Sequence, residues 1–235
     1  MADPAHSTDD LGQAFTRLAQ VIALLRERCA WTAALTHESL LEYLLEEAYE
    51  VIDAVEAGHT GAADAAELSG ELGDVLFQVL LHARLQEEAG HFSIQDVIEG
   101  LTGKMVRRNP HVFNSDGTLT DSPTGDPAEI ERAWDAAKKV EKPARNSPFE
   151  GIPASLPALA LAAKAQNRAR RAGVPVPLPA SGTPASGTPE WDGEEELGEL
   201  LFETVRQATE RGIDPEAALR AAVRRFTAPV PPVTD

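Results

Sequence analysis

The chain has 235 residues, enough for one large or two small domains, and its acids outnumber its bases 38 to 21 for a net charge of −17. That charge argues against nucleic acid as a partner, because the phosphate backbone rewards the opposite sign. A single cysteine, Cys29, excludes an internal disulfide framework and fits a cytoplasmic location. The acidic opening Met1 to Asp10 reads as no signal peptide, and no apolar run reaches membrane-spanning length.

Abundant Ala, Leu and Glu with few aromatics suit an all-α fold. The first helical candidate covers residues 11 to 28, with Leu11, Phe15, Leu18, Val21, Ile22 and Leu25 on one face. Thr36 can cap a second helix that runs to about Ala57. Gly58-His59-Thr60-Gly61 marks a turn, and a third helix follows from about Asp64 to Glu88. Ser93 opens a fourth, with Asp96 in a capping-box arrangement, and it ends at Asn109-Pro110. Residues 114 to 127 read as loop, and a fifth helix spans about Pro127 to Glu141. Further helices are expected over 156–172, 194–211 and 214–226.

Residues 173 to 190 are rich in Pro, Gly, Ser and Thr. They contain the pentamer Ala-Ser-Gly-Thr-Pro twice, at 180–184 and 185–189, the composition of a flexible linker. The tail Pro229 to Pro232 is not helical. An internal repeat also shows, since Glu196-Leu197-Gly198-Glu199-Leu200-Leu201-Phe202 matches Glu71-Leu72-Gly73-Asp74-Val75-Leu76-Phe77. The expected organisation is a catalytic domain over 1–148 and a degenerate second copy over 149–235.

The chemistry centres on Glu46-Glu47-Ala48-Tyr49-Glu50 and Glu71-Leu72-Gly73-Asp74. Each segment holds two acids three residues apart, which a helix presents on one face. At roughly 100° per residue, Glu47, Glu50 and Glu71 fall at the borders of the apolar stripes and Asp74 just beyond. Acids on helices usually do no more than solubilise a surface. Two pairs on successive helices at stripe borders instead bring four like charges together, which resists full ionisation. A hard divalent cation resolves that conflict, Mg²⁺ first and Mn²⁺ as an alternative.

Bases cluster in the same copy. Lys104 and Arg108 share one helix face with Arg107 beside them, and Trp134 and Lys138 are again four apart. A basic helix end that complements the helix dipole is the plain reading of the first cluster. Taken with a metal, the two pairs and the ring are what a nucleoside triphosphate requires: cations for the phosphates and an aromatic face for the base.

Glu-Glu-x-x-Glu followed by Glu-x-x-Asp resembles the MazG family of nucleoside triphosphate pyrophosphohydrolases. Lys104 to Phe113 is similar to that family's Lys-x-x-Arg-Arg-His-Pro-His-Val-Phe, and Gly151-Ile152-Pro153, Leu156 to Leu159 and Lys164-Ala165-Gln166 are similar to the start of its second repeat. The family's Cys-Pro-Trp-Asp-x-x-Gln-Thr-His stands here as Cys29 to His37 with Pro, Asp and Gln replaced. The resemblance implies a helical bundle of the MazG type and metal ligands at Glu47, Glu50, Glu71 and Asp74. It implies substrate contacts at Lys104, Arg108, Trp134 and Lys138. The implied reaction is hydrolysis between the α- and β-phosphates, with Glu46 or Glu50 as general base. A homodimer is implied as well.

Two other classes fit parts of the pattern. A di-iron carboxylate bundle requires a Glu-x-x-His pair on each of two helices. His82, two turns past Asp74, is off that spacing and reads as a packed histidine. A non-catalytic helical interaction or nucleotide-binding protein would leave the acids as a solvated face, and the two basic pairs count against it.

Overall fold

The computed structural model describes residues 8–121, 125–141, 147–176 and 192–227. The tandem pentamers and the Pro229–Pro232 tail lie outside the described residues. The chain forms two compact units, Met1–Ala137 and Lys138–Asp235. Among the described residues every regular element is a helix, apart from one isolated bridge between Phe113 and Leu119.

The first unit holds α1 (Thr8–Arg28), the short α2 (Ala30–Ala33), α3 (Leu41–Glu56), α4 (Ala65–Glu88) and α5 (Ile94–Arg108), followed by α6 (Pro127–Glu141), within which the boundary between units falls. α3 and α4 form a helical hairpin and share the most extensive packing; α1 and α5 also pack on α4. Buried Ile22, Leu35, Leu40, Leu80 and Leu81 make the core, with Phe15, Tyr43, Leu76, Phe77 and Ile94 packed against it. Leu35 and Leu40 come from the segment before α3, the others from α1, α3, α4 and α5, and α4 supplies the most.

The hairpin turn has a clear cause. Gly58 adopts φ +88°, and the amide of His59 donates to the Ala54 carbonyl at 2.9 Å, so α3 ends in a left-handed Schellman cap. α5 opens with the expected capping box: Ser93 Oγ accepts from the Asp96 amide, and Asp96 accepts from the Ser93 amide at 2.8 Å. Thr36 acts differently from the expectation. It forms a reciprocal turn with Ser39, in which the Thr36 amide donates to Ser39 Oγ at 2.9 Å and the Ser39 amide to Thr36 Oγ1 at 3.2 Å. The helix then starts at Leu41 with no side-chain cap.

One buried arginine ties the segment before α3 to the rest. Arg26, near the end of α1, donates to the carbonyls of Thr32 and Leu35, and its Nη2 lies 2.7 Å from Glu88 Oε2 at the end of α4. The hydrogen bond from Arg26 holds the Glu88 carboxyl below its ordinary value. Arg26 thereby joins the end of α1, the segment after it and the end of α4.

The second unit packs α7 (Ala158–Arg171), α8 (Glu194–Glu210) and α9 (Pro215–Thr227) on one another. The repeat is visible in burial as well as in sequence. Gln78 and Glu203 each lie seven residues after the first acid of their motif, and both are buried. Glu203 is held by Arg206 and Gln207, and its carboxyl is lowered chiefly by the Arg206 hydrogen bond.

Two substitutions rank these devices. Ser93→Ala should cost about 1 kcal/mol by loss of a cap. Arg26→Gln should cost more, on the order of 1–3 kcal/mol, because it strands buried carbonyls as well as a carboxylate. Denaturant unfolding of both variants checks the order, and equal stabilities would show that Arg26 is not the tie described.

Candidate functional site

α3 and α4 run antiparallel through the Gly58 turn, so the two acid pairs meet head to tail. Oxygens of Glu47, Glu71 and Asp74 all lie within 4.8 Å of one another. Glu50 adds the fourth carboxylate, within interaction range of both Glu47 and Glu71. Glu47 and Glu71 are half-buried at the seam, and Glu50 and Asp74 face solvent. Glu46 is exposed and contributes a longer-range charge to Glu47.

The electrostatics follow from this crowding. Partial burial pushes the Glu47 carboxyl up, and the charges of Asp74, Glu50 and Glu46 push it further. Glu71 is raised by partial burial first, then by Glu50, Asp74 and Glu67. An all-oxygen donor set of this charge fits a hard divalent cation, which would replace the repulsion with attraction. Glu47, Glu71 and Asp74 fit such a group.

α5 packs on α4 and carries Lys104 and Arg108, both half-buried, with Arg107 exposed beside them. The Arg108 guanidinium sits over the Trp134 ring, 5.3 Å from its centroid, so the indole face holds a cation. Lys138 falls in the second unit, where it borders an open cavity of about 660 Å³ with Lys164, Arg168 and Arg171.

A network that sequence reasoning missed lies farther along the α3–α4 seam. His37 Nδ1 is 2.7 Å from His82 Nδ1, Gln86 Nε2 is 2.6 Å from His37 Nε2, and His91 Nδ1 is 2.8 Å from Gln86 Oε1. The two imidazole planes are within 10° of parallel with centroids 5.0 Å apart. Face-to-face rings stand about 3.5 Å apart at contact, so a 2.7 Å nitrogen pair requires the rings to lie edge to edge. Burial lowers the His82 pKa, and His37 lowers it further. The only sequence signal was the presence of His37 and His82 near the hairpin; their 45-residue separation hid the pairing.

An all-α unit with carboxylates gathered across one helical seam and a basic helix packed alongside defines an acidic-cluster helical bundle. A family model for the MazG nucleotide pyrophosphohydrolase domain matches residues 35–113, the segment that holds all four acids and Lys104 to Arg108. A nucleoside triphosphate pyrophosphohydrolase/pyrophosphatase MazG of Thermotoga maritima is 36% identical over 230 residues, covering 92% of this chain and 84% of that protein. A nucleoside triphosphate pyrophosphohydrolase of Escherichia coli is 33% identical over 229 residues, covering 89% and 83%. One from Mycolicibacterium smegmatis is 41% identical over 219 residues, covering 88% of this chain and 62% of that longer protein. The chain belongs to the MazG nucleotide pyrophosphohydrolase family and is an enzyme of that kind.

The crowded acids make a stability prediction. Raised carboxyls bind protons more tightly when folded, so their penalty is present at neutral pH and is relieved as pH falls toward the ordinary carboxylate range of about 4. Glu88 and Glu203 have the opposite sign, and their stabilisation is lost at lower pH. In chelator the melting temperature should therefore rise on moderate acidification from pH 7 and then fall. Glu50→Gln should raise the pH 7 value in chelator and flatten the rise. A metal-free Glu50→Gln protein that melts below its metal-free parent would contradict the repulsion.

Proposed function

We propose that this protein hydrolyses nucleoside triphosphates between the α- and β-phosphates, releasing a nucleoside monophosphate and pyrophosphate. Mg²⁺ is the resident cation, with Mn²⁺ as a substitute, and the role is to clear unwanted triphosphates from the nucleotide pool. The observation that carries the reading is the oxygen-only cluster of Glu47, Glu71 and Asp74 within 4.8 Å across α3 and α4, with the basic α5 packed on α4. The names of the Thermotoga maritima and Escherichia coli relatives point the same way.

Glu47, Glu50, Glu71 and Asp74 would hold the cation. When bound, it polarises phosphate oxygens and makes a water more acidic. Lys104, Arg107 and Arg108 neutralise the triphosphate, and Trp134 restrains Arg108 through its ring face. Lys138 is a further candidate for the phosphates. The attacking water forms its bond to the α-phosphorus, the bond to the bridging oxygen breaks, and pyrophosphate leaves. The water's proton passes to a carboxylate. Glu46 and Glu50 are the two candidates. We assign the proton to Glu46, exposed beside the cluster, because Glu50 lies between Glu47 and Glu71 and serves as a ligand.

A homodimer is part of the proposal. Leu18, Val21 and Leu25 on α1, Leu41 and Leu45 on α3 and Ile98 and Leu101 on α5 are all exposed, and a second copy would cover them. No described helix is long and apolar enough to cross a membrane. The chain's single thiol suits the cytoplasm, and its acidity disfavours nucleic acid as a partner.

Phosphate products resolved by chromatography test the bond. Monophosphate with pyrophosphate is expected, and diphosphate with orthophosphate would overturn the reading. Glu46→Gln should lose turnover and keep cation affinity, whereas Glu50→Gln should lose both. Lys104→Ala and Arg108→Ala should weaken nucleotide binding with cation affinity kept. Glu196→Gln and Glu199→Gln, in the second copy, should leave turnover nearly unchanged.

A further inference from the structure

The second unit holds an open cavity of about 660 Å³ whose charged lining is mostly cationic. Lys138, Lys164, Arg168 and Arg171 border it, against a single carboxylate, Asp214. In a chain of net charge −17 that balance is the reverse of the whole. Lys164, Arg168 and Arg171 follow one another at intervals of four and three residues on α7, so one helix face carries all three. Cations in a last helical turn complement the helix dipole, which accounts for Arg168 and Arg171. Lys164 lies seven residues before the end of α7, beyond the reach of that effect, and still takes the same face.

The acids that could neutralise these cations are engaged elsewhere. Glu203 and Glu210 on α8 both pair with Arg206 of the same helix. Asp214 Oδ1 accepts from the amides of Glu216 at 2.9 Å and Ala217 at 3.1 Å, and so caps α9. Among the described residues no carboxylate pairs with Lys164 or Arg168. Arg26 in the first unit shows the contrast. It lays Nη1 on two backbone carbonyls and closes Nη2 on the Glu88 carboxylate. Arg168 likewise lays Nη1 on two carbonyls, of Pro148 at 3.1 Å and of Glu150 at 2.8 Å, and no carboxylate closes it. An anion entering the cavity therefore meets an arginine whose orientation is already fixed. Asn167 adds donors to the same lining. Its Oδ1 accepts from Arg170 Nη2 at 2.9 Å, which leaves its amide N–H groups for a ligand.

We propose that this cavity binds a small organic phosphate, with the phosphate oxygens on Lys164, Arg168 and Arg171 and the carbon skeleton against Leu156, Ala160 and Ile213. Guanidinium groups suit phosphate because they offer parallel pairs of N–H donors. The volume falls within the roughly 300–1,000 Å³ of small-molecule sites and exceeds what inorganic phosphate or pyrophosphate fills. The site belongs to the copy whose described residues hold no counterpart of α3. That copy is a binding module, and the proposal stands independently of the pyrophosphohydrolase reading of the first copy.

Isothermal titration calorimetry of the full chain in EDTA at low salt tests it, with ADP, pyrophosphate and adenosine as probes. Chelation removes the cation that would draw phosphate to the α3–α4 acids, so their charge opposes binding there. ADP should bind saturably at one site per chain, pyrophosphate about tenfold more weakly for want of apolar contact, and adenosine not at all. Lys164→Glu and Arg171→Glu, both at exposed positions, should each weaken ADP by about tenfold or more, the effect of losing a hydrogen bond to a charged group. Lys104→Ala, in the first unit, should leave ADP affinity unchanged. Thermal melts confirm that each variant is folded, and either of the two charge reversals suffices for the test. Parental ADP affinity in a folded Lys164→Glu or Arg171→Glu protein would overturn the site. So would loss of ADP binding in Lys104→Ala, or no saturable ADP binding by the parent. Pyrophosphate bound as tightly as ADP would overturn the organic part of the ligand, and adenosine bound as tightly as ADP would overturn recognition of phosphate.

Discussion

Four carboxylates are held against their own repulsion across the seam of α3 and α4, and apolar packing of that seam keeps them there. Ala54, Leu80 and Leu81 are buried on the two helices that carry Glu47, Glu50, Glu71 and Asp74, and Leu40 is buried at the N-cap of α3. Burying a leucine side chain contributes about 1.5–3 kcal/mol, so a few such residues offset the cost of crowded charge at a partly solvated site. The acids at the stripe borders lose hydration because the leucines beside them pack. The raised Glu47 and Glu71 carboxyls and the core are thus two results of one contact. A site stressed in this way gains from any cation that binds the folded chain alone, since such binding stabilises by mass action.

The rest of the first unit fixes that seam and furnishes it. The Gly58 cap folds α4 back on α3 in the register that sets Glu47 near Asp74 and Glu50 near Glu71. Arg26 anchors the segment before α3 to the end of α4, at the far end of the same hairpin. The Ser93 capping box starts α5, which packs on α4 and carries Lys104, Arg107 and Arg108 at its end. The second unit repeats the α4 pattern down to the buried polar residue at Glu203. Its described residues hold no counterpart of α3, so no second acid pair faces Glu196 and Glu199.

Local patterns were legible in the sequence wherever one element decides the outcome. Helix extents follow from stripes of period 3.6, the α5 start from Ser93 and Asp96, and the hairpin turn from Gly58. Half-burial of Glu47 and Glu71 follows from their place at the stripe borders, whereas Glu50, assigned to the same border, is exposed. The features that escaped join distant segments. The His37–His82 pair spans 45 residues and the Arg26–Glu88 pair 62, and nothing in helical spacing couples such positions. Arg108 and Trp134 were each expected as substrate contacts, but the guanidinium resting on the indole was not foreseen, because it depends on how the chain between α5 and α6 turns. The short helix Ala30–Ala33 also escaped, being too brief to show a period. Thr36 was misjudged because Ser39 competes for its backbone, a side-chain bond that replaces a simple cap.

Everything proposed for the α3–α4 acids requires them to bind a divalent cation as a unit. Titration of the metal-free protein with Mn²⁺, followed by the electron paramagnetic resonance signal of the free ion, reads that directly. Saturable binding that Mg²⁺ displaces, and that Asp74→Asn or Glu71→Gln abolishes in a folded protein, is expected. Mn²⁺ bound with unchanged affinity by both variants would contradict it.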